Sequence, residues 1–183
     1  MNRQQLLSDL NSYRANNMYE SAYREQMIRF IETNPNCFER GNLHGHMTGS
    51  AWVINPARTH VMLMHHKKLN RWFQPGGHAD GEHNLLEVAY REALEETGLS
   101  ENDIKAVSSD IFDIDIHRIP ARPNEPEHAH YDIRYLFEAN DQIEPPGNDE
   151  SHQVGWVALD EVKAFNNNLS MRRMLDKIRW SFI

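Results

Sequence analysis

Apolar positions recur along this chain with two periods. Leu6, Leu7, Leu10 and Tyr13, then Tyr19, Tyr23, Met27, Phe30 and Ile31, fall at helical spacing and predict two helices before Pro35 stops the pattern. From Thr48 the pattern turns strand-like. Ser50 to Ile54 and His60 to His66 flank Asn55, Pro56, Ala57 and Arg58 and read as a hairpin, and Trp72 to Gln74 give a short extended piece before Pro75 and a glycine turn. Leu86, Ala89, Tyr90, Ala93 and Leu94 mark one apolar stripe on a helix from Asn84 to Thr97, closed by Gly98, a residue free to take positive φ. Phe112 to Ile119 alternates strictly, with Phe112, Ile114 and Ile116 against Asp113, Asp115 and His117, as a half-buried strand does. A proline-rich loop runs to His130, after which Tyr131 to Phe137 is again a strand, with Ile133, Tyr135 and Phe137 facing one way. Gln153 to Leu159 is the last strand, with Trp156 packed, and Leu159 to Phe165 and Ser170 to Trp180 close the chain as helices.

The helix after the glycine turn carries the densest chemistry. At about 100° per residue, Glu92, Glu95 and Glu96 project within an arc of roughly 100°, beside the apolar stripe rather than inside it. Like charges at this spacing repel on an isolated helix, so a nearby cation would turn the cluster into a binding site. A solvated acidic face is the plain alternative. His128, His130 and Asp132 share the parity opposite to Ile133 and project to one side of an extended chain. Two imidazoles and a carboxylate there can hold a transition metal, bind phosphate or face solvent; substrate contact is the role assigned to them, with Arg134 included. His44, His46, His65, His66 and His78 surround the hairpin and the glycine turn, and each taken singly reads as a structural histidine.

Length and charge narrow the classes. A chain of 183 residues suits one domain with a sizeable core and a terminal extension. The formal net charge is −8 and no basic run occurs, which argues against duplex nucleic acid or an anionic membrane surface as partner. No apolar run is long enough for a signal peptide or a membrane span, and Cys37, the only cysteine, excludes an internal disulfide. Both facts favour the cytoplasm. Cys37 is expected to be a small buried or half-buried residue. The two N-terminal helices are expected to pack on the domain, a homodimer contact or a lid being the functional alternatives.

From Gly77 to Leu99 the sequence resembles the Nudix hydrolase family, whose box reads G, five residues, E, seven residues, REU, any residue, EE, any residue, GU, with U aliphatic. Gly77, Arg91, Glu92, Ala93, Glu95, Glu96, Gly98 and Leu99 match at that spacing. His83 stands where the family has its first glutamate, with Glu82 one residue early. The resemblance covers about Thr48 to Phe165. It implies an α+β Nudix fold, a mixed β-sheet sandwiched between helices, with residues 1–40 as an N-terminal helical extension and 41–183 as the hydrolase domain.

The resemblance also implies a hydrolase that cleaves a phosphoanhydride bond in a nucleoside diphosphate linked to another group. Hard carboxylate oxygens suit Mg2+ or Mn2+. Carried over, Glu92, Glu95 and Glu96 are the side-chain metal ligands, the backbone carbonyl of Gly76 is a further one, and Glu95 and Glu96 serve catalysis through the metal. Several family members draw a general base from a glutamate in a late loop, which makes Glu150 the counterpart here, with a solvated loop acid as the alternative. The family's pocket opens beside the box, which adds His78 to the substrate-binding set. Two other activities share the fold: a non-catalytic nucleotide sensor, and an isoprenoid diphosphate isomerase that needs a pocket cysteine. The intact carboxylates argue against the first, and the position of Cys37 ahead of the first core strand argues against the second.

Overall fold

The computed structural model describes residues 2–67, 70–123, 126–148 and 151–180. They form, in order, α1 (Arg3–Ser12), α2 (Met18–Thr33), β1 (Gly45–Ile54), β2 (His60–His66), β3 (Arg71–Phe73), β4 (Gly76–His78), α3 (Leu85–Thr97), β5 (Ile104–Ala106), β6 (Asp113–Ile119), β7 (His128–Ala139), β8 (Ser151–Ala158), α4 (Val162–Phe165) and α5 (Leu169–Trp180). Hydrogen bonding links the strands in the order β3-β2-β1-β7-β5, with β4 on β1, β6 on β7 and β8 on β2. The class is α+β, a mixed sheet with helices and an N-terminal helical pair. Two compact units result, one of Met1–Ser50, Gly76–Ala89 and Ser109–Tyr135, the other of Ala51–Pro75, Tyr90–Ser108 and Leu136–Ile183.

In the first unit Asn2 and Asn17 cap α1 and α2, their side chains accepting from the backbone N–H of Gln5 and Glu20. Leu6, Leu10, Met27 and Ile31 are fully buried, as their spacing predicts. Tyr19 departs from the expected stripe and is exposed, while Glu20 takes the interior place. The carboxylate is tolerated there because it accepts hydrogen bonds from the Tyr13 hydroxyl at 2.7 Å, the Asn17 side chain at 3.0 Å and the Asn16 backbone at 3.3 Å. Phe30 of α2 stacks on Tyr131 with ring centroids 3.9 Å apart.

The strands of this unit reach further than the apolar pattern. β1 starts at Gly45 and is buried throughout; Thr48 and Ser50 both donate to Asp132, a partner that a hydrophobicity pattern cannot show. β7 begins at His128, inside the expected loop, and pairs antiparallel with β6 from Ile119↔His128 to Asp113↔Arg134. The glycine turn is itself a strand, β4, aligned with β1 through Ser50↔Gly76, Gly49↔Gly77 and Thr48↔His78. Glycine is required at 76 because a Cβ there would lie 2.2 Å from Ser50 Oγ. His83, the departure from the box, packs its ring 4.3 Å from that of Phe38.

The second unit holds the hairpin. Asn55 Oδ1 accepts from the N–H of Thr59 at 2.8 Å and of His60 at 2.9 Å, and Arg58 turns the chain with φ of 55°. β2 pairs antiparallel with β8 from His60↔Ala158 onward and with β3 from Met64↔Phe73, while β5 pairs with β7 from Ile104↔Ala139. Trp156 on β8 is half-buried rather than packed. Only Val162–Phe165 of the penultimate segment is helical, and Leu159 instead donates its N–H to Thr59 O at 2.9 Å.

Candidate functional site

Two groups of polar side chains stand out, one in each unit. On α3 the buried positions are Leu85, Val88, Ala89, Ala93, Glu96 and Thr97. This stripe is turned by nearly one residue from the predicted one, because Val88 and Thr97 are buried where Leu86, Tyr90 and Leu94 are only half-buried. The carboxylate arc therefore overlaps the buried face instead of lying beside it. Glu96 is 8% exposed, Glu92 is half-buried and Glu95 is open to solvent. Glu92 Oε1 accepts a charge-assisted bond from its neighbour Arg91 at 3.0 Å.

The C-terminus of α3 is held by the late loop. Gly98 takes φ of 73°, and a Cβ on it would meet Pro146 Cγ at 2.6 Å and Gly147 O at 3.0 Å. The N–H of Gly147 donates to Thr97 O at 2.9 Å, and the Asn148 amide donates to Glu95 O at 3.1 Å, satisfying two carbonyls that the helix end leaves open. Glu150 lies outside the described residues, two positions beyond Asn148. Three carboxylates within about one and a half turns of helix are a hard oxygen donor set, and they fit Mg2+ or Mn2+.

The other group lies on β1, β4, β6 and β7. Arg134 is 3% exposed, and its guanidinium serves three carboxylates separately: Nε donates to Asp132 at 2.7 Å, Nη1 to Asp113 at 3.1 Å, and Nη2 lies 3.2 Å from Asp115. Burial works against the charge of Arg134, and Asp115, Asp132 and Asp113 outweigh it and raise its pKa. Asp132 also accepts from Thr48 Oγ at 2.9 Å and Ser50 Oγ at 2.8 Å, which ties β7 to β1. The expected outward face of β6 is thus partly buried: Asp113 and Asp115 turn inward to meet the arginine.

Five imidazoles gather beside this network. The ring of His46 lies 4.9 Å from His78, 5.0 Å from His128 and 4.7 Å from His130, and His130 in turn lies 5.3 Å from His117. Burial first, then the neighbouring histidines, push His46 down to about 4 and His130 to about 2. Of the substrate-binding set, His78, His128 and His130 come together, whereas Asp132 and Arg134 bind each other. His46 and His117 join them without having been placed in that set. Parity is the signal that points to them, since His46, Thr48 and Ser50 alternate along β1 and His117 stands opposite His130 in the β6–β7 register.

The fold and its acidic helix define a class of hydrolases. A family model for the NUDIX domain matches residues 46–178, and the chain belongs to that family. It is 28% identical over 122 residues to a probable DHNTP pyrophosphohydrolase of Lactococcus lactis subsp. cremoris (strain MG1363), covering 65% of this chain and 72% of the relative. Among solved structures it is similar in fold to a C. elegans Ap4A hydrolase in a binary complex, with a TM-score of 0.58 at 16% identity over 73% of this chain and 94% of that one. It also resembles a NUDIX-family hydrolase from Clostridium perfringens, with a TM-score of 0.54 at 22% identity over 75% and 97% of the two chains.

Proposed function

We propose that the chain hydrolyses a phosphoanhydride bond in a nucleoside diphosphate linked to another group, or a close analogue, with Mg2+ or Mn2+ held by Glu92, Glu95 and Glu96. The observation that carries this reading is the complete carboxylate set on a helix whose end is clamped by Gly147 and Asn148. When bound, the divalent ion neutralises pyrophosphate oxygens and lowers the pKa of attacking water. Glu96 supplies a carboxylate fixed by burial, Glu92 one oriented through Arg91, and Glu95 one that is open to solvent. Glu150 is assigned the general base. In the other unit His78, His128 and His130 are assigned ligand contact, and Asp132 and Arg134 hold the strands that carry them.

The isomerase alternative needs a reactive cysteine in a pocket, and Cys37 is fully buried with its thiol pKa raised by that burial. Among the described residues no helix is long and apolar enough to cross a membrane, and a chain with a single cysteine is in keeping with the cytoplasmic setting proposed for it.

The test is a panel of nucleoside diphosphate derivatives with DHNTP and Ap4A, each incubated with Mg2+ and with Mn2+ while phosphate and nucleotide release are followed. Turnover of at least one compound is expected. Glu95→Gln and Glu96→Gln should each lower it by at least roughly a hundredfold with the fold intact. Tight binding of a nucleotide without turnover would make the chain a sensor instead.

A further inference from the structure

The imidazole cluster is not explained by the carboxylate chemistry. His46 is 2% exposed, yet neither of its ring nitrogens has a hydrogen-bond partner. Leaving a buried polar ring unsatisfied is costly, and a ligand would recover that cost. One nitrogen each from His46, His78 and His130 lies within 4.8 Å of the others.

We propose that His46, His78 and His130 form a binding site for a borderline divalent transition metal, Zn2+ first of all, with three imidazole ligands and an open fourth position. Three histidines with one position free are a donor set typical of zinc. Zn–N bonds of ~2.1 Å put tetrahedral ligand nitrogens about 3.4 Å apart. The three rings therefore need to close by little more than 1 Å.

The surroundings fit a cation. A backbone carbonyl only accepts, so the 2.9 Å contact between His128 Nδ1 and Pro126 O fixes the proton of His128 on Nδ1. In the neutral pair, the 3.2 Å contact between the Nε2 atoms of His128 and His130 then makes His130 the donor and leaves its Nδ1 lone pair for a metal. This is the outer-shell bond that ligating histidines make with their second nitrogen. Nearby, Asp113, Asp115 and Asp132 set three negative charges against the one positive charge of Arg134, an excess that favours a divalent cation. His117 stands between this network and the cluster, 3.5 Å from Asp115. Arg40 and Asp80, which also act on His46, are paired with each other and cancel. The ligand contact assigned above to His78 and His130 then passes through the ion's open position.

The experiment starts from chelator-stripped protein titrated with Zn2+ by calorimetry, with millimolar Mg2+ present to occupy the carboxylates. One Zn2+ per chain is expected, with an X-ray absorption spectrum showing an imidazole shell at ~2.0–2.1 Å. His46→Gln and His130→Gln should each weaken Zn2+ binding at least roughly a hundredfold, and His128→Gln by roughly ten- to a hundredfold. Glu92→Gln combined with Glu96→Gln should leave it unchanged. The wild-type spectrum decides the matter even if a histidine variant fails to fold. A shell of carboxylate oxygens, or no Zn2+ on the folded wild type, overturns the proposal. So does inorganic phosphate that binds the metal-free protein and is lost in His46→Gln, which would make the cluster an anion site.

Discussion

Arg134 gives each of its three nitrogens to a different aspartate, and that division makes it irreplaceable. An ammonium group is a point charge and cannot span three separate carboxylates. Arg134→Ala leaves three acids buried around an empty centre and should cost about 3–5 kcal/mol. Arg134→Lys should recover only part of it. Urea unfolding reads both, and a loss under about 1 kcal/mol for the alanine variant would show the network to be solvated. Cys37 makes an opposite kind of forecast. Burial raises its thiol pKa against the pull of Arg3. Its reaction with a disulfide reagent at pH 8 should therefore be slow in the native protein and rise to the rate of a free thiol in urea, because the thiolate is the nucleophile. Fast labelling of the folded protein would mean that the thiol is reachable.

At the scale of elements, the end of α3 is the most exacting. Gly98→Ala must hold an alanine at positive φ and also displace Pro146, so it should cost at least about 1–2 kcal/mol. Because the same residues anchor the late loop, kcat should fall further than stability does. Thermal melting and steady-state kinetics on one sample separate the two effects, and unchanged kcat would detach the loop from the chemistry. The helix was legible in the sequence because its apolar spacing and closing glycine both signal it, and Glu92, Glu95 and Glu96 came with it. Its buried face was misjudged because Glu96 and Thr97 occupy places that a hydrophobic count assigns to Leu86, Tyr90 and Leu94. β4 was missed for a related reason: two glycines read as a turn, yet they form a strand because only a residue without Cβ can lie against Ser50. The start of β1 and of β7 is polar. Its burial rests on partners from other strands, and no local pattern carries that information.

For the molecule as a whole, the N-terminal residues behave as core. Leu6, Leu10, Met27 and Ile31, with Cys37 and Phe38 just beyond α2, are buried in the first unit, and Arg3 Nη1 donates to Ile31 O at 3.0 Å. A chain beginning at residue 41 loses all of that apolar set. It should give no cooperative urea transition, whereas a fragment 41–183 with the midpoint of the full chain would mark the first 40 residues as an appendage. The division into units has a further consequence. Each unit is stitched from three separated stretches, and β1, α3 and β7 each begin in one and end in the other. No single breakpoint can separate one unit from the other: a cut that keeps one whole carries two stretches of its neighbour along. A fusion that borrows either unit whole from this gene would inherit stretches of both units, never one of them alone.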